Sequence, residues 1–469
     1  MAAPPESAAT DPLADAPELC RLGAGDLCRR YADGSLSPVE VAEAALARAE
    51  AVQAAHNAFT LIDHDGAIAQ AEAAAARWRQ GAPASPIDGV PTTIKDIVWV
   101  AGHSIRYGSR SEPVTPAHDA PAVARLRAAG AVFVGLTTTP EFGWKAVTDS
   151  PYSGVTTNPW NAALTPGGSS GGAAAAAAAG AGVLHLGTDG GGSIRIPASF
   201  TGIFGLKPSF GRVAAYPPSA FGTVAHIGPM ARTVADAALM LAVMAGPDPL
   251  DWTQAPGTMP GLERSPFDFA GKRIGYWGEP PRGPIDREVQ ATVDEAVAAI
   301  QAAGATIEPI TLPDHERLFD IFAGHWLVGA AARVAALPPE VLDGLDPGLV
   351  EAAASGAAMD VLDHVRATQA RVAFGRAMDA LLRTFDLVVS PATAIPAFAA
   401  GHEVPPGSGL GRWTEWAGFS YPINLSQQPA CSIPCGLTMA GRPVGLQLIG
   451  PRGDDARVLA AAQAFAALG

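Results

Sequence analysis

Lysine is the scarcest charged residue in this chain. Of 31 basic side chains only Lys95, Lys145, Lys207 and Lys272 are lysine; the rest are arginine. A guanidinium does not deprotonate in proteins, so arginine cannot replace a lysine that must act as a base. Charge of either sign is thin at 16% of residues, and the net charge of −14 argues against nucleic acid or an anionic membrane as partner. Cysteine is limited to Cys20, Cys28, Cys431 and Cys435. Neither spacing fits a zinc site, and a chain of 469 residues is not the small secreted type that needs a disulfide framework, so free, mostly buried thiols are expected. No apolar run reaches about 18 residues without interruption, which speaks against a membrane span. The N-terminus has neither a basic region nor an apolar one, so it does not read as a signal peptide, and a cytoplasmic location is expected.

What the chain has in quantity is apolar surface and glycine: 48% hydrophobic residues and 52 glycines. That is enough for a large core. Residues 1–17, rich in Ala, Pro and acid, read as a mobile leader. Ser37-Pro38-Val39-Glu40 is a capping box that opens a helix ending near His56. Further helices are expected over about 26–32, 65–80, 119–130, 173–179, 234–245, 287–303 and 454–468, with 316–384 almost wholly helical. Residues 89–97 alternate loosely between turn signals, so 92–95 reads as a short strand, and 131–136, 183–186, 273–276, 387–391 and 443–449 read as further strands. Strands alternating with helices predict an α/β fold.

Two serine-bearing glycine loops flank one apolar helix: Thr165-Pro-Gly-Gly-Ser169-Ser170-Gly-Gly172 and Leu186-Gly-Thr-Asp189-Gly190-Gly191-Gly192-Ser193-Ile-Arg195-Ile-Pro197. Gly and Ser are ordinary turn residues. Glycine also lets backbone N–H groups converge on a small anion, and a serine among such amides suits a nucleophile beside an oxyanion hole. Serine needs a base. His185, the one histidine between the loops, falls in a strand and reads as a core residue, which leaves Lys95 as candidate base once burial lowers its pKa. An ion pair with Asp96 is the competing role for Lys95. Gly168-Ser-Ser170-Gly-Gly172 formally matches G-x-S-x-G, but no strand precedes it as that elbow requires. A P-loop and a dinucleotide fingerprint both fail on spacing.

The stretch resembles the signature region of the amidase signature family, with its GGSSGG loop, its GT-D-x-GGSIR-x-P loop and a GLKP tail, here Gly205-Leu206-Lys207-Pro208. The family's upstream lysine stands in Gly89-Val-Pro-Thr-Thr-Ile-Lys95-Asp96, and matches continue to Pro443-Val-Gly-Leu-Gln-Leu448. The resemblance implies one α/β domain over 18–469: a mixed, mostly parallel twisted sheet covered by helices on both faces. Its catalytic core would span about 85–245 and 385–469, with a variable helical region at about 250–384. It implies a triad of Lys95, Ser169 and Ser193, with Ser193 as nucleophile and Ser169 as relay at a cis peptide bond. The amides of Gly190, Gly191, Gly192 and Ser193 would form the oxyanion hole. Ser170 and Asp189 would hold the loops, Arg195 would clamp the exit, and Lys207 would be structural. Gly190 departs from the family pattern, where a side chain is usual.

No metal and no cofactor are implied. The expected activity is hydrolysis of aryl or alkyl amides by a monomer or homodimer with a small-molecule substrate. Carbamate (urethane) or cyclic-amide hydrolysis by the same triad remains open. So does the role of a tRNA amidotransferase subunit, against which stand the net charge, Trp144, Trp160 and Asn424-Leu-Ser-Gln-Gln-Pro429 in place of Asn-Leu-[TS]-Gly-x-Pro. Substrate choice is expected to lie in loops 140–160, 214–226 and 401–420 and in the helices of 316–384.

Overall fold

Strand Val132–Thr137 is buried on both sides. Phe133 and Leu136 enter one apolar core with Ile94 and Leu186, whereas Val132 and Val134 enter another with Ala42, Ala45 and Ala175. Leu387 and Val389 part from Val388 in the same way. Successive strand residues point to opposite faces, so strands that are apolar throughout need helices on both. The structure, a computed structural model, describes residues 11–254, 261–262 and 266–468.

Asp149–Ser150 and Gly154–Val155 pair separately, and the eleven other described strands form one sheet. Its order is Phe59–Ile62, Val132–Thr137, Pro91–Lys95, Leu184–Asp189, His226–Ala231, Phe204–Lys207, Ala430–Leu437, Pro443–Ile449, Leu387–Pro391, Arg273–Tyr276, Thr306–Pro309. This is the expected α/β fold with a mixed sheet. Parallel pairs lie towards the two ends of the sheet, consecutive antiparallel pairs join them from Leu184–Asp189 to Leu387–Pro391, and the edge strand Phe59–Ile62 is antiparallel to Val132–Thr137. Most of those antiparallel pairs involve strands 204–207, 226–231 and 430–437, which carry Gly205, Gly228, Pro229, Pro434 and Gly436 and do not show strand periodicity. The parallel share is accordingly smaller than the sequence reading implies.

The capping box forms: Ser37 N donates to Glu40 Oε2 at 2.8 Å, and Ser37 Oγ accepts from Val39 N at 3.2 Å. Region 316–384 resolves into helices Leu318–Ala335, Pro347–Ala357 and Val361–Thr384. Asp346 and Asp360 cap the second and third. Segment 315–335 is long and apolar enough to cross a membrane, but Leu318, Ile321, Phe322, Trp326 and Ala330 are buried within the protein, which accounts for that composition. Part of the expected leader is ordered: residues 11–17 form turns held by Arg21 and Arg48, whose guanidinium groups donate to Ala14 O, Ala16 O and Pro12 O. Residues 1–10, and part of the connection expected over 246–270, lie outside the described residues. All four cysteines are free, with Cys20 and Cys431 buried.

Candidate active site

Strands Pro91–Lys95 and Leu184–Asp189 are parallel neighbours in register Ile94↔Leu186, so both end at the same edge of the sheet. That places Lys95 beside Thr188 and Asp189. The adjoining helix, Gly171–Ala178, is buried along its whole length. Its first residues must be glycine, because a β-carbon on Gly171 or Gly172 would fall 2.3 Å from Thr148 Oγ1 or Thr138 Oγ1. This close seating brings Ser169 and Ser170 onto Lys95.

Lys95 Nζ donates to Ser169 Oγ at 2.6 Å, Ser170 Oγ at 3.0 Å and Thr188 Oγ1 at 3.0 Å. The side chain is 0% exposed. Burial pulls its pKa well below the ordinary 10.5, and the charge of Asp189 opposes this only in part. The competing ion pair with Asp96 does not form. Asp96 Oδ1 instead accepts from Arg106 N at 2.9 Å, and burial pushes that carboxyl up to about 7. Ser170 ties the loops together: its Oγ donates to Thr188 O at 3.1 Å, and its N–H donates to Ser193 O at 3.1 Å. The Gly168–Ser169 peptide is cis.

Asp189 sits under the second loop as a buried acceptor. It takes Gly192 N at 2.8 Å, Ile194 N at 3.2 Å, Asn424 Nδ2 at 2.9 Å, and Arg195 through Nε and Nη2 at 2.9 Å each. Burial pushes its carboxyl up, but Arg195, Lys207 and the Asn424 amide outweigh that and hold it well below the carboxylate range. One expectation is corrected here. The Gly192 amide, expected as an oxyanion donor, is committed to Asp189, because a buried carboxylate attracts the nearest amide. Among the described residues, the N–H groups of Gly190, Gly191 and Ser193 have no such partner. Arg195 is the clamp: its guanidinium also donates to Ser420 O, Gln447 Oε1 and Asn424 Oδ1, which pins the loop to the far half of the sheet. Lys207 is buried and donates to Pro208 O and Gln428 O, a structural role. His185, also buried, has its pKa lowered to about 3 by burial, and Thr93 Oγ1 lies 2.8 Å from its Nδ1.

Ser169 and Ser193 open together onto a cavity of about 340 Å³, whose lining includes Thr188, Gly190, Phe142, Tyr107, Phe221, His226, Trp326 and Arg333. A second cavity of about 240 Å³ lies beyond Trp326, which lines both. Loop 214–226 supplies much of the first wall, as expected, and Trp326 and Arg333 come from the expected helical region. Loop 401–420 instead contributes Arg412, Trp413 and Thr414 to the second cavity, together with Trp144. Trp160 donates to Thr201 O at 2.8 Å and lines neither.

A sequence model described as Amidase matches residues 40–459. The chain belongs to the amidase family. This family member is 36% identical over 480 residues to a glutamyl-tRNA(Gln) amidotransferase subunit from Symbiobacterium thermophilum, covering 95% of this chain and 96% of that one. It is also 36% identical over 457 residues to an acylamidase of Rhodococcus erythropolis, covering 95% of each. In three dimensions it is similar to a bacterial aryl acylamidase of the amidase signature family, with a TM-score of 0.85, 28% identity and 96% coverage of both chains. The protein is thus an amidase signature hydrolase, acting on C–N bonds of amides.

Sequence reasoning missed Thr188, which stood in plain view inside the second loop. It also missed His226, which no motif marks, and the roles of Asn424 and Gln447, which stand in the matching segments 424–429 and 443–448. His226 Nδ1 faces Val224 O at 2.8 Å and Asp189 O at 3.2 Å, so that nitrogen carries the proton.

Proposed function

We propose that this amidase is free-standing and hydrolyses aryl or alkyl amides through Lys95, Ser169 and Ser193. The observation that carries the reading is the buried Lys95, which has no carboxylate partner among the described residues and meets Ser169 Oγ at 2.6 Å. A neutral amine there accepts the proton that Ser169 relays from Ser193 as the Ser193 oxygen attacks the amide carbonyl. The oxygen of the tetrahedral intermediate is received by the free amides of Gly190, Gly191 and Ser193; one such donor is typically worth about 10²–10³ in rate. The proton returns through Ser169 to the leaving amine. Water then enters by the same route and releases the acid.

Carbamate and cyclic-amide hydrolysis would use the same atoms. The similarity to an amidotransferase subunit supports a second reading, in which the same triad releases ammonia within a complex. Against it stands Gln427, which takes the place of the glycine in Asn-Leu-[TS]-Gly-x-Pro yet holds the positive φ (66°) that glycine favours. We place the enzyme in the cytoplasm, as monomer or homodimer.

The test is hydrolysis of a matched p-nitroanilide and p-nitrophenyl carbamate by the purified chain alone, beside Ser193→Ala and Lys95→Ala. Turnover abolished by both substitutions supports a self-sufficient triad, and the ratio of the two rates chooses between amide and carbamate. Absence of fluorophosphonate labelling at Ser193 would overturn its role.

A further inference from the structure

Arg333 is the one cationic side chain among the cavity-lining residues whose charge has no carboxylate or carbonyl acceptor among the described residues. It lies in the last turn of helix Leu318–Ala335 and is half-buried. Trp326, seven residues earlier, falls on the same face of that helix and packs against the position of Gly190. The Arg333 guanidinium carbon lies 5.1 Å from the ring centre of Phe142 and 5.9 Å from that of Tyr107. Both rings line the same cavity. Phe142 is held at φ 51°, and the next residue, Gly143, lies against Ser169: a β-carbon there would be 3.3 Å from Ser169 Oγ. Arg333 is thus layered on the residue next to the triad's wall.

The remaining formal charge on that wall is Asp251, and its oxygens are occupied. They accept from Ala215 N at 2.8 Å, Thr253 N at 3.0 Å and Thr253 Oγ1 at 2.6 Å. His226 is neutral, because burial pulls its pKa well below the ordinary value. The rest of the lining is largely apolar. A guanidinium placed over two aromatic rings keeps its planar fork of N–H donors, and that fork matches a carboxylate in a bidentate way. In a chain of net charge −14, such a group is a local exception to the overall field.

We infer that the amide this cavity takes carries a carboxylate or comparable anionic group, held by Arg333; this rests on the amidase reading above. Arg333 is then a specificity-determining residue that orients the substrate from a non-reacting end.

Two pairs, each an acid and an analogue that lacks its carboxylate, test it: N-(4-nitrophenyl)succinamate against N-(4-nitrophenyl)butyramide, and 4-butyramidobenzoate against butyranilide. Hydrolysis is followed for the wild type, Arg333→Gln and Arg333→Lys. Calorimetry follows binding of the two acids to Ser193→Ala, with and without Arg333→Gln. The expected result is a kcat/KM preference of at least tenfold for the acid in one pair. That preference should reside mainly in KM, be lost in Arg333→Gln and be partly restored in Arg333→Lys. Equal turnover of acid and neutral partners in both pairs, or a preference that survives Arg333→Gln, overturns the inference and leaves the amidase reading standing. Arg333-dependent binding of an acid without turnover of any anilide supports the inference and counts against the amidase reading.

Discussion

A β-carbon on Gly190 would lie 3.0 Å from Cζ3 of Trp326. The indole occupies the space that a side chain at position 190 would use. It is held there by a stack on Phe221, with ring centres 3.8 Å apart, and by its N–H, which donates to Trp144 O at 3.1 Å. A residue that departs from the family pattern is therefore matched by an aromatic ring from a distant helix.

Gly190→Ala forces that contact and is expected to cost about 1–3 kcal/mol, as overpacking of a close-fitted site does. In a Trp326→Ala background the same change should cost little. Urea denaturation of the four proteins of this double-mutant cycle checks the coupling. Additive costs would show that the two residues do not compete for one space.

Lys95→Arg should abolish turnover, because a guanidinium cannot accept the proton; a loss of at least about 10² is expected for removal of a positioned base. The kcat/KM profile of the wild type should fall on the acid side as Lys95 becomes protonated, with a midpoint well below 10.5. Stability carries a signature of the same sign. The unfolded chain holds a proton on Lys95 that the folded chain has lost, so wild-type stability rises with pH towards the unfolded lysine value. Lys95→Met lacks that term. Its stability relative to wild type should therefore decline as pH rises through that window, read by urea melts at several pH values.

Asp189 and Arg195 are both 0% exposed, and two side-chain hydrogen bonds join their opposite charges. Removing one partner leaves an uncompensated buried charge, for which about 3–5 kcal/mol is typical. Arg195→Met should show such a loss in denaturant midpoint, with Ser193 labelling slowed as the loop is released. Normal stability and labelling in this variant would mean that the pair does not hold the loop.

Asp96 carries a carboxyl pushed up to about 7 by burial. Its unfolded value is the ordinary 3.8, so the folded state binds its proton more tightly. The stability this contributes is fully present below the unfolded value and is lost as pH rises through about 7. Asp96→Asn should flatten that decline between mildly acidic and neutral pH. Parallel urea melts of wild type and variant measure it, and identical slopes would contradict it.

Much of the site could be read from the chain because its parts are local. Ser169, Ser170 and Asp189 to Arg195 sit in two glycine loops whose backbone needs only glycine supplies, and Lys95 closes a short buried strand. The Asn424 and Gln447 contacts to Arg195 could not be read, because those residues lie 229 and 252 positions away in the chain. Strands 204–207, 226–231 and 430–437 escaped for a related reason. Their Pro and Gly interrupt the apolar pattern, and only pairing with neighbours brought from elsewhere makes them strands.

The sequence by itself determined the family, the α/β class and the lysine and serines of the site, since these rest on short-range patterns of glycine, apolar periodicity and motif spacing. The tertiary structure decided which amides of the second loop stay without a partner, because Asp189 competes for Gly192 only once both are buried together. It also decided the lowered pKa of Lys95, which follows from exclusion of water, and the shape of the cavity, where Trp326 and Arg333 arrive from a helix far along the chain. Burial and distance belong to the folded chain, and no local pattern encodes them.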